Sequence, residues 1–390
     1  MGHYQFQTVP TLIAGLGSIQ QLPDVLKNLQ SHKILLLTDQ GLVQQHIHQP
    51  IIALLDQHQY RYQLYQEIHS DPSEAEILTL VDFAKHQAID TVIGFGGGSV
   101  MDAAKVAALL AHPQQTQRLQ DIYGINQAQH PRLKLILIPT TAGTGSEVTP
   151  ISIVTTSATT KTGIVSPVLY ADVALLDAHF SLNLPASITA STGIDAMVHA
   201  IEAYTSKIKK NPYSDLLAKS ALRLLNHNLP KVLKNGQDAE ARQAMLEGAM
   251  LAGQAFANAP VAAIHALAYP LGGRFHVAHG QSNAMVMLEV MKFNAPQAKQ
   301  YYAELMTWLD PKSSGCIDGL CDLFIDHFYN LLNLSQLDLS LQNYGIHASD
   351  LEQLAHDAMQ HTRLLQNNPR ELTYQDALQI YQTLYDQNKP

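Results

Sequence analysis

The sequence predicts a doubly wound α/β domain over residues 1–185, followed by an all-helical domain over residues 186–390. In the first half of the chain, short apolar runs alternate with helical segments, which is typical of a parallel sheet covered by helices. After Pro185 the strand signals nearly vanish and helical periodicity takes over. A chain of 390 residues is long enough for two hydrophobic cores of this kind.

Short runs in the first half predict the strands of the sheet: residues 33–39, 60–67, 90–95 and 133–139. Residues 33–39 form an apolar run that ends in a polar residue, as strands buried in parallel sheets do. Helices are predicted over residues 41–57 and from Ser73, where Glu76 completes a capping box. Residues 151–176 are expected to hold further short strands. In the second half, breaks between helices are predicted at Pro-containing and Gly-containing stretches: residues 211–212, 235–236, 270–273, 296 and 311.

The composition is that of a mildly acidic globular protein, with 46% hydrophobic residues, 15% charged residues and a net charge of −9. It shows no basic face suited to nucleic acid. Cys316 and Cys321 are too few for a disulfide framework, and with no secretory signal we expect a cytoplasmic protein. Residues 248–273 carry no Asp, Glu, Lys or Arg, but polar residues such as Gln254 predict a buried helical core instead of a membrane span.

A glycine-rich loop, residues 94–99 (Gly-Phe-Gly-Gly-Gly-Ser), follows a predicted strand and leads into a predicted helix over residues 100–111. The glycines allow close backbone approach, and the helix N-terminus offers free N–H groups to a pyrophosphate. A tight strand–helix turn that only needs glycine is the alternative. Because the order is not Gly-x-Gly-x-x-Gly, the domain is not expected to be a standard Rossmann domain.

A threonine-rich loop, residues 139–147, also follows a predicted strand and offers four hydroxyl groups. Two such loops at the carboxyl ends of parallel strands indicate a ligand crevice, although a polar surface loop is the alternative. Asp39 ends an earlier predicted strand. Its carboxylate is suited to accept hydrogen bonds from an adenosine ribose and to repel a 2′-phosphate, which favours NAD over NADP; a solvent-exposed strand end is the alternative.

Asp195 and His199 are four residues apart in a predicted helix, so their side chains lie on one face. They are suited to share a divalent metal, or to form an ordinary hydrogen bond. Spacing alone does not decide between these, because it recurs at Asp82/His86 and Asp357/His361.

The surroundings of Asp195 favour a metal. Between Pro185 and Lys207 the only charged residues are Asp195 and Glu202, so Asp195 is expected in a poorly solvated helix, where a carboxylate without a partner is unfavourable. Three histidines also occur in one apolar stretch further along the chain: His265, His276 and His279.

Together these stretches resemble the iron-containing (iron-activated) alcohol dehydrogenase family over essentially the whole chain, with the motifs at residues 96–105, 139–149, 192–202 and 265–280 in order. The resemblance implies a dehydroquinate synthase-like architecture and a metal held by Asp195, His199, His265 and His279, normally Fe(II) and sometimes Zn(II). It implies NAD(P) contacts from Asp39, Gly97, Gly98, Ser99, Asp102, Thr140, Thr141 and Thr144, with Ser146, Thr149 and Lys161 as further cofactor neighbours.

The chain departs from the family at two positions near the implied sites. Many members have His where this chain has Tyr269, and Asn-Pro where it has Asp71-Pro72. A phenol, with an ordinary pKa near ~10, is a poor base at neutral pH. Tyr269 is therefore expected to orient the substrate, unless it only packs below the turn expected at Pro270.

The resemblance implies reversible hydride transfer between a small alcohol and NAD(P) in an interdomain cleft, with the metal as Lewis acid. The alternatives are a lyase of the dehydroquinate synthase type, disfavoured by the lack of Lys and Arg between Pro185 and Lys207, and a non-catalytic nucleotide-binding protein. We expect a homodimer or larger homo-oligomer, with no nucleic-acid or membrane partner.

Overall fold

The computed structural model describes residues 3–129, 131–157 and 160–387. The chain divides into two compact units. The first, called the sheet unit here, comprises Thr8–Asn183 and Gln237–Met250. The second, called the helical unit, comprises Met1–Gln7, Leu184–Gly236 and Leu251–Pro390. The domain boundary at Pro185 stays a prediction.

The described part of the sheet unit contains the strands β1 (Thr11–Ala14), β2 (Lys33–Leu37), β3 (Arg61–Tyr65), β4 (Thr91–Gly96), β5 (Gly124–Ile125), β6 (Lys134–Pro139), β7 (Ile151–Thr155), β8 (Lys161–Val165) and β9 (Val173–Leu176). Six of them form a sheet in the order β1-β9-β6-β4-β2-β3, in which all neighbours are parallel. Strands β5, β8 and β7 form a second, smaller sheet. The predicted parallel sheet is confirmed.

The helices of the first part of the chain are α1 (Leu22–Asn28), α2 (Gln40–Gln44), α3 (Gln49–Gln57), α4 (Glu74–His86) and α5 (Gly98–Leu110). The capping box at the start of α4 is confirmed, since the Ser73 hydroxyl accepts from the Glu76 N–H and the Glu76 carboxylate accepts from the Ser73 N–H. The single helix predicted over residues 41–57 is wrong. The chain leaves the helix at His46, which adopts a left-handed conformation with φ 59°, and α3 begins beside Pro50.

The strand order reverses beside β2, because β3 lies on one side of it and β4, the next strand in the sequence, lies on the other. Ligands of open parallel sheets bind outside the carboxyl ends of the strands at such a point. Asp39 follows β2, and the glycine-rich loop spans the last residues of β4 and the first residues of α5. The threonine-rich loop begins at the last residue of β6, the next strand across the sheet.

The remaining helices are α6 (Ala186–Thr205), α7 (Pro212–Lys234), α8 (Ala239–Asn258), α9 (Ala263–Phe275), α10 (His279–Leu309), α11 (Ile317–Ser335), α12 (Leu351–Met359), α13 (Thr362–Leu365) and α14 (Tyr374–Gln387). No strand occurs beyond residue 185 in the described chain, as predicted. In those same ranges, no helix has the combination of length and hydropathy needed to cross a membrane.

Two of the predicted helix breaks are wrong. Pro270 lies inside α9 and Pro296 lies inside α10. An internal proline removes one backbone hydrogen bond, and the buried faces of these long helices offset that loss through packing. The chain turns instead at His276, the C-cap of α9, which has a left-handed φ of 55°. His265 and His279 therefore lie on different helices, as expected, but the break comes six residues after Pro270.

Candidate metal and cofactor sites

The structure brings together the four side chains predicted to hold a metal. One ligand atom from each of Asp195, His199, His265 and His279 lies within 4.8 Å of the others, and this is the one such metal-binding group found within the described ranges. Helix α6 supplies Asp195 and His199 from one face, one turn apart. His265 comes from the first turn of α9, and His279 is the first residue of α10.

A glycine allows α10 to approach α6 beside these side chains. A Cβ atom built on Gly280 would lie 2.3 Å from the Ser191 carbonyl oxygen and 3.3 Å from the Asp195 Cβ. A side chain at residue 280 would therefore push the two helices apart. Since α6 carries Asp195 and α10 carries His279, this close contact sets the spacing of two of the four side chains.

The candidate metal group is buried on one side and open on the other. The Asp195, His199 and His265 residues are 2–4% exposed, whereas the His279 side chain is 36% exposed. Burial by itself raises the pKa of the Asp195 carboxyl, but the three neighbouring histidines and a hydrogen bond from Asn283 lower it overall. The lowered pKa favours the charged form of the Asp195 carboxylate, although this side chain has little contact with solvent.

The donor set fits a divalent metal. The Asp195 Oδ1 atom lies 3.5 Å from His279 Nε2 and 3.9 Å from His265 Nε2. Ligand atoms that each lie about 2.0–2.2 Å from a metal are roughly 3–4 Å from one another, so these separations need little adjustment. One carboxylate and three imidazoles suit Fe(II) or Zn(II) and do not select between them.

Two polar residues beside the candidate ligands were not recognised as functional residues from the sequence. Asn283, which is fully buried, donates from Nδ2 to the Asp195 Oδ1 atom at 2.6 Å. The Oε2 atom of Glu202, which is 3% exposed, lies 2.7 Å from the His265 Nδ1 atom. Signals for both were present, since Glu202 is the only other charge in its stretch of sequence and Asn283 follows His279 by one helical turn.

Tyr269 lies beside the open side of the candidate metal group. Its ring centroid is 5.9 Å from that of His279, 6.3 Å from that of His265 and 5.0 Å from that of His361. Burial is the main reason that the pKa of His361 is lowered, with Arg363 adding to the effect and Asp357 opposing it. His361 was not singled out from the sequence as a neighbour of this group.

In the sheet unit, the two predicted ligand loops contact each other. A Cβ atom built on Gly98 would lie 2.9 Å from the Thr144 methyl group, and one on Gly97 would lie 3.7 Å from the Thr141 hydroxyl. Gly97 is the N-cap of α5, so the free N–H groups of that helix begin at the glycine-rich loop. The first threonine of the second loop, Thr140, donates its backbone N–H to the Gly96 carbonyl at 3.0 Å.

Several side chains predicted to contact the cofactor bond to one another instead of standing free. The Ser146 hydroxyl donates to Asp102 Oδ1 at 2.6 Å, and the Asp102 Oδ2 atom accepts from the Ile153 N–H at 2.8 Å. Fully buried Lys105 donates to the Ser146 and Thr149 hydroxyls at 2.6 and 3.3 Å. These bonds form a network that connects α5 to the threonine-rich loop. Lys105 was not recognised from the sequence as part of this site, although it follows Asp102 by three residues on the same helix.

Burial shifts the pKa values of three ionisable groups in and beside this network. Burial is the main influence on Lys105 and lowers its pKa, while Asp102 and Glu147 oppose that effect. Burial also raises the pKa of Asp102, and it raises that of Glu147 to about 7 in spite of the nearby Lys105 charge.

The remaining predicted cofactor residues, Asp39, Ser99 and Lys161, each have a polar partner. Asp39 is the N-cap of α2, where its Oδ1 atom accepts from the Leu42 N–H at 3.0 Å. The Ser99 hydroxyl accepts from the Asp71 N–H at 3.1 Å, and Lys161 pairs with the Asp71 carboxylate at 2.7 Å. The Asp71-Pro72 departure thus lies in contact with two residues of the predicted set.

Comparison with known proteins matches both halves of the chain to one family. Residues 10–178 match the iron-containing alcohol dehydrogenase family, and residues 189–385 match its C-terminal region. The chain is 38% identical over 386 residues to long-chain-alcohol dehydrogenase 1 of Geobacillus thermodenitrificans, which covers 96% of this chain and 95% of that protein.

Further similarity is found to a reductase and to a solved structure. The chain is 36% identical to the sulfoacetaldehyde reductase of Bilophila wadsworthia, over 98% of this chain and 99% of that protein. The solved structure of a 1,3-propanediol oxidoreductase superposes with a TM-score of 0.94 at 26% identity, over 98% of this chain and 100% of that one. The relatives thus include proteins named for alcohols and one named for an aldehyde.

Proposed function

Because the chain belongs to the iron-containing alcohol dehydrogenase family, we propose that it interconverts a small alcohol and its aldehyde with a nicotinamide cofactor. The observation that carries this proposal is the convergence of one carboxylate and three imidazoles, of which only His279 is partly exposed. Relatives named as an alcohol dehydrogenase and as an aldehyde reductase support both directions of the reaction.

The proposed metal ligands are Asp195, His199, His265 and His279. When bound there, Fe(II) or Zn(II) supplies a Lewis acid for an alcohol or carbonyl oxygen. The exposed edge of His279 leaves room for a substrate, while the buried helices around the other ligands exclude water from the far side. Tyr269, next to this opening, is proposed to orient the substrate or to form the wall of its pocket.

NAD, with NADP as the alternative, is proposed to bind at the two loops of the sheet unit and to carry the hydride. The free N–H groups at the start of α5 suit its pyrophosphate. Close contact of the loops at Gly98 and Thr144 supports a preformed site. The proposed contacts are Asp39, Gly97, Gly98, Ser99, Asp102, Thr140, Thr141 and Thr144, with Ser146, Thr149 and Lys161 nearby.

Three further features are proposed. We place the division between a cofactor-binding and a metal-binding domain at residue 185, near the start of α6. We also propose a cytoplasmic enzyme, supported by the absence of a disulfide framework in the sequence. It is proposed to act as a homodimer or larger homo-oligomer, without nucleic-acid or membrane partners.

The test is a spectrophotometric screen of short alcohols and aldehydes with NAD(H) and NADP(H), after chelation and reconstitution with Fe(II) or Zn(II). Turnover that requires added metal and appears with at least one alcohol–aldehyde pair is expected. Substitution of the exposed His227, on α7, should leave this rate unchanged and serves as the histidine control. Full activity in the metal-free protein, or none with any pair after metal uptake, would contradict the proposal.

A further inference from the structure

Glu202 is a buried carboxylate whose two oxygen atoms hold the start of α9. Its Oε1 atom accepts from the Ile264 N–H at 2.7 Å, and its Oε2 atom accepts from the Ala262 N–H at 2.9 Å. The same Oε2 atom lies 2.7 Å from His265 Nδ1. A carboxylate whose two oxygens both accept from backbone N–H groups acts only as an acceptor. His265 Nδ1 is therefore the donor in the third contact.

The opposite edge of the His265 ring has a complementary partner. The Nε2 atom of His265 lies 3.3 Å from the Asn283 Nδ2 atom, which also donates to Asp195 Oδ1 at 2.6 Å. An amide nitrogen only donates, so His265 Nε2 is the accepting nitrogen of the ring. The two edges agree: Nδ1 carries the proton and Nε2 carries the lone pair.

We propose that Glu202 is a positioning residue that holds His265 in the Nδ1–H tautomer, which leaves the Nε2 lone pair for a metal to take in place of the Asn283 N–H. This inference rests on the metal site proposed above. Carboxylates that accept from the far nitrogen of a metal-binding histidine fix its tautomer and orientation, and their loss typically weakens metal binding about 10–100-fold.

Glu202 also acts as a helix cap, so the experiment must separate the two roles. Ala262, the N-cap of α9, makes no side-chain capping bond of its own. The Glu202→Gln variant keeps the size of the side chain but replaces one accepting oxygen with an NH2 group. That group must face either the Ile264 N–H, or the Ala262 N–H together with His265 Nδ1.

The measurement is the dissociation constant for Zn(II), by competition with a chromophoric chelator, and the melting temperature of the metal-free protein. We expect Glu202→Gln to raise the dissociation constant about 10–100-fold per folded molecule. Glu304→Gln is the matched control, because Glu304 accepts from the Tyr204 hydroxyl on the same unit away from the histidines. That control should bind Zn(II) like the wild type.

A Glu202→Gln protein that melts lower but binds Zn(II) like the wild type would make Glu202 a helix cap only and would overturn the inference. If the variant does not fold, nitrogen-15 NMR of the metal-free wild type decides, using the resonances that disappear in His265→Ala. Protonation at Nδ1 is expected there, and protonation at Nε2 would overturn the inference. A wild type that takes up no Zn(II) or Fe(II) would instead contradict the metal site itself.

Discussion

Replacing Gly280 with alanine tests whether the close approach of α6 and α10 shapes the metal site. A Cβ atom there would lie 2.3 Å from the Ser191 carbonyl oxygen, whereas ordinary contacts begin near 3.4 Å, so the helices must separate by about 1 Å. Overpacking of this kind costs about 1–3 kcal/mol or more, against a gain of up to about 1 kcal/mol in helix propensity. We expect a net loss of about 2 kcal/mol, which lowers the melting temperature by roughly 4–8 °C.

The assay is thermal unfolding of chelator-treated protein, so that metal binding does not contribute. Gly319→Ala is the matched control, because a Cβ atom there would lie 3.5 Å from the Cys316 sulfur, an ordinary contact within α11. It should melt at or slightly above the wild-type temperature. Because Asp195 and His279 flank the contact, Gly280→Ala should also bind Fe(II) more weakly. A Gly280→Ala protein as stable as the wild type would show that the contact between Gly280 and Ser191 does not limit the packing of α10 against α6.

Three other substitutions test the remaining assignments. Asp39→Gly removes the proposed ribose acceptor and should shift the ratio of kcat/KM towards NADP; an unchanged ratio would show that Asp39 serves only as the cap of α2. Tyr269→Phe should lower kcat roughly tenfold or less, since a positioning hydrogen bond is worth about 1 kcal/mol; a loss of several orders of magnitude with metal still bound would make the phenol the proton carrier. Lys105→Met should lower stability by up to about 3 kcal/mol in thermal melts, because it removes the cation beside Asp102, whose side chain is only 14% exposed; wild-type stability would contradict a role for that pair.

The metal group shows what sequence spacing can and cannot predict. Three Asp–His pairs share the four-residue spacing, but His86 bonds to the backbone carbonyl of Asp82, and Asp357 pairs with Arg274. Only the pair at Asp195 lies in a charge-poor helix, a feature that the sequence does show. The convergence of His265 and His279 on that pair depends on helix packing, so it was available only through the family resemblance.

The fold was predictable where local signals agree with tertiary structure. The buried parallel strands and the capping box at Ser73 appear as expected, since apolar runs and caps act over a few residues. Pro270 shows the limit, because the packing of α9 keeps the helix intact through a residue that usually ends one. Glu202 and Lys105 were missed for a related reason: a buried charge is recognised by its partners, and His265 and Ser146 lie 63 and 41 residues away in the sequence.

The most direct test of the metal-dependent account is the iron content of desalted protein after anaerobic Fe(II) loading. We expect about one iron per chain in the wild type and in the control His227→Ala, and a strong loss of iron and turnover in His265→Ala and His279→Ala. Cofactor binding should persist in all four proteins. Full iron content and near wild-type turnover in either ligand variant would contradict the assignment.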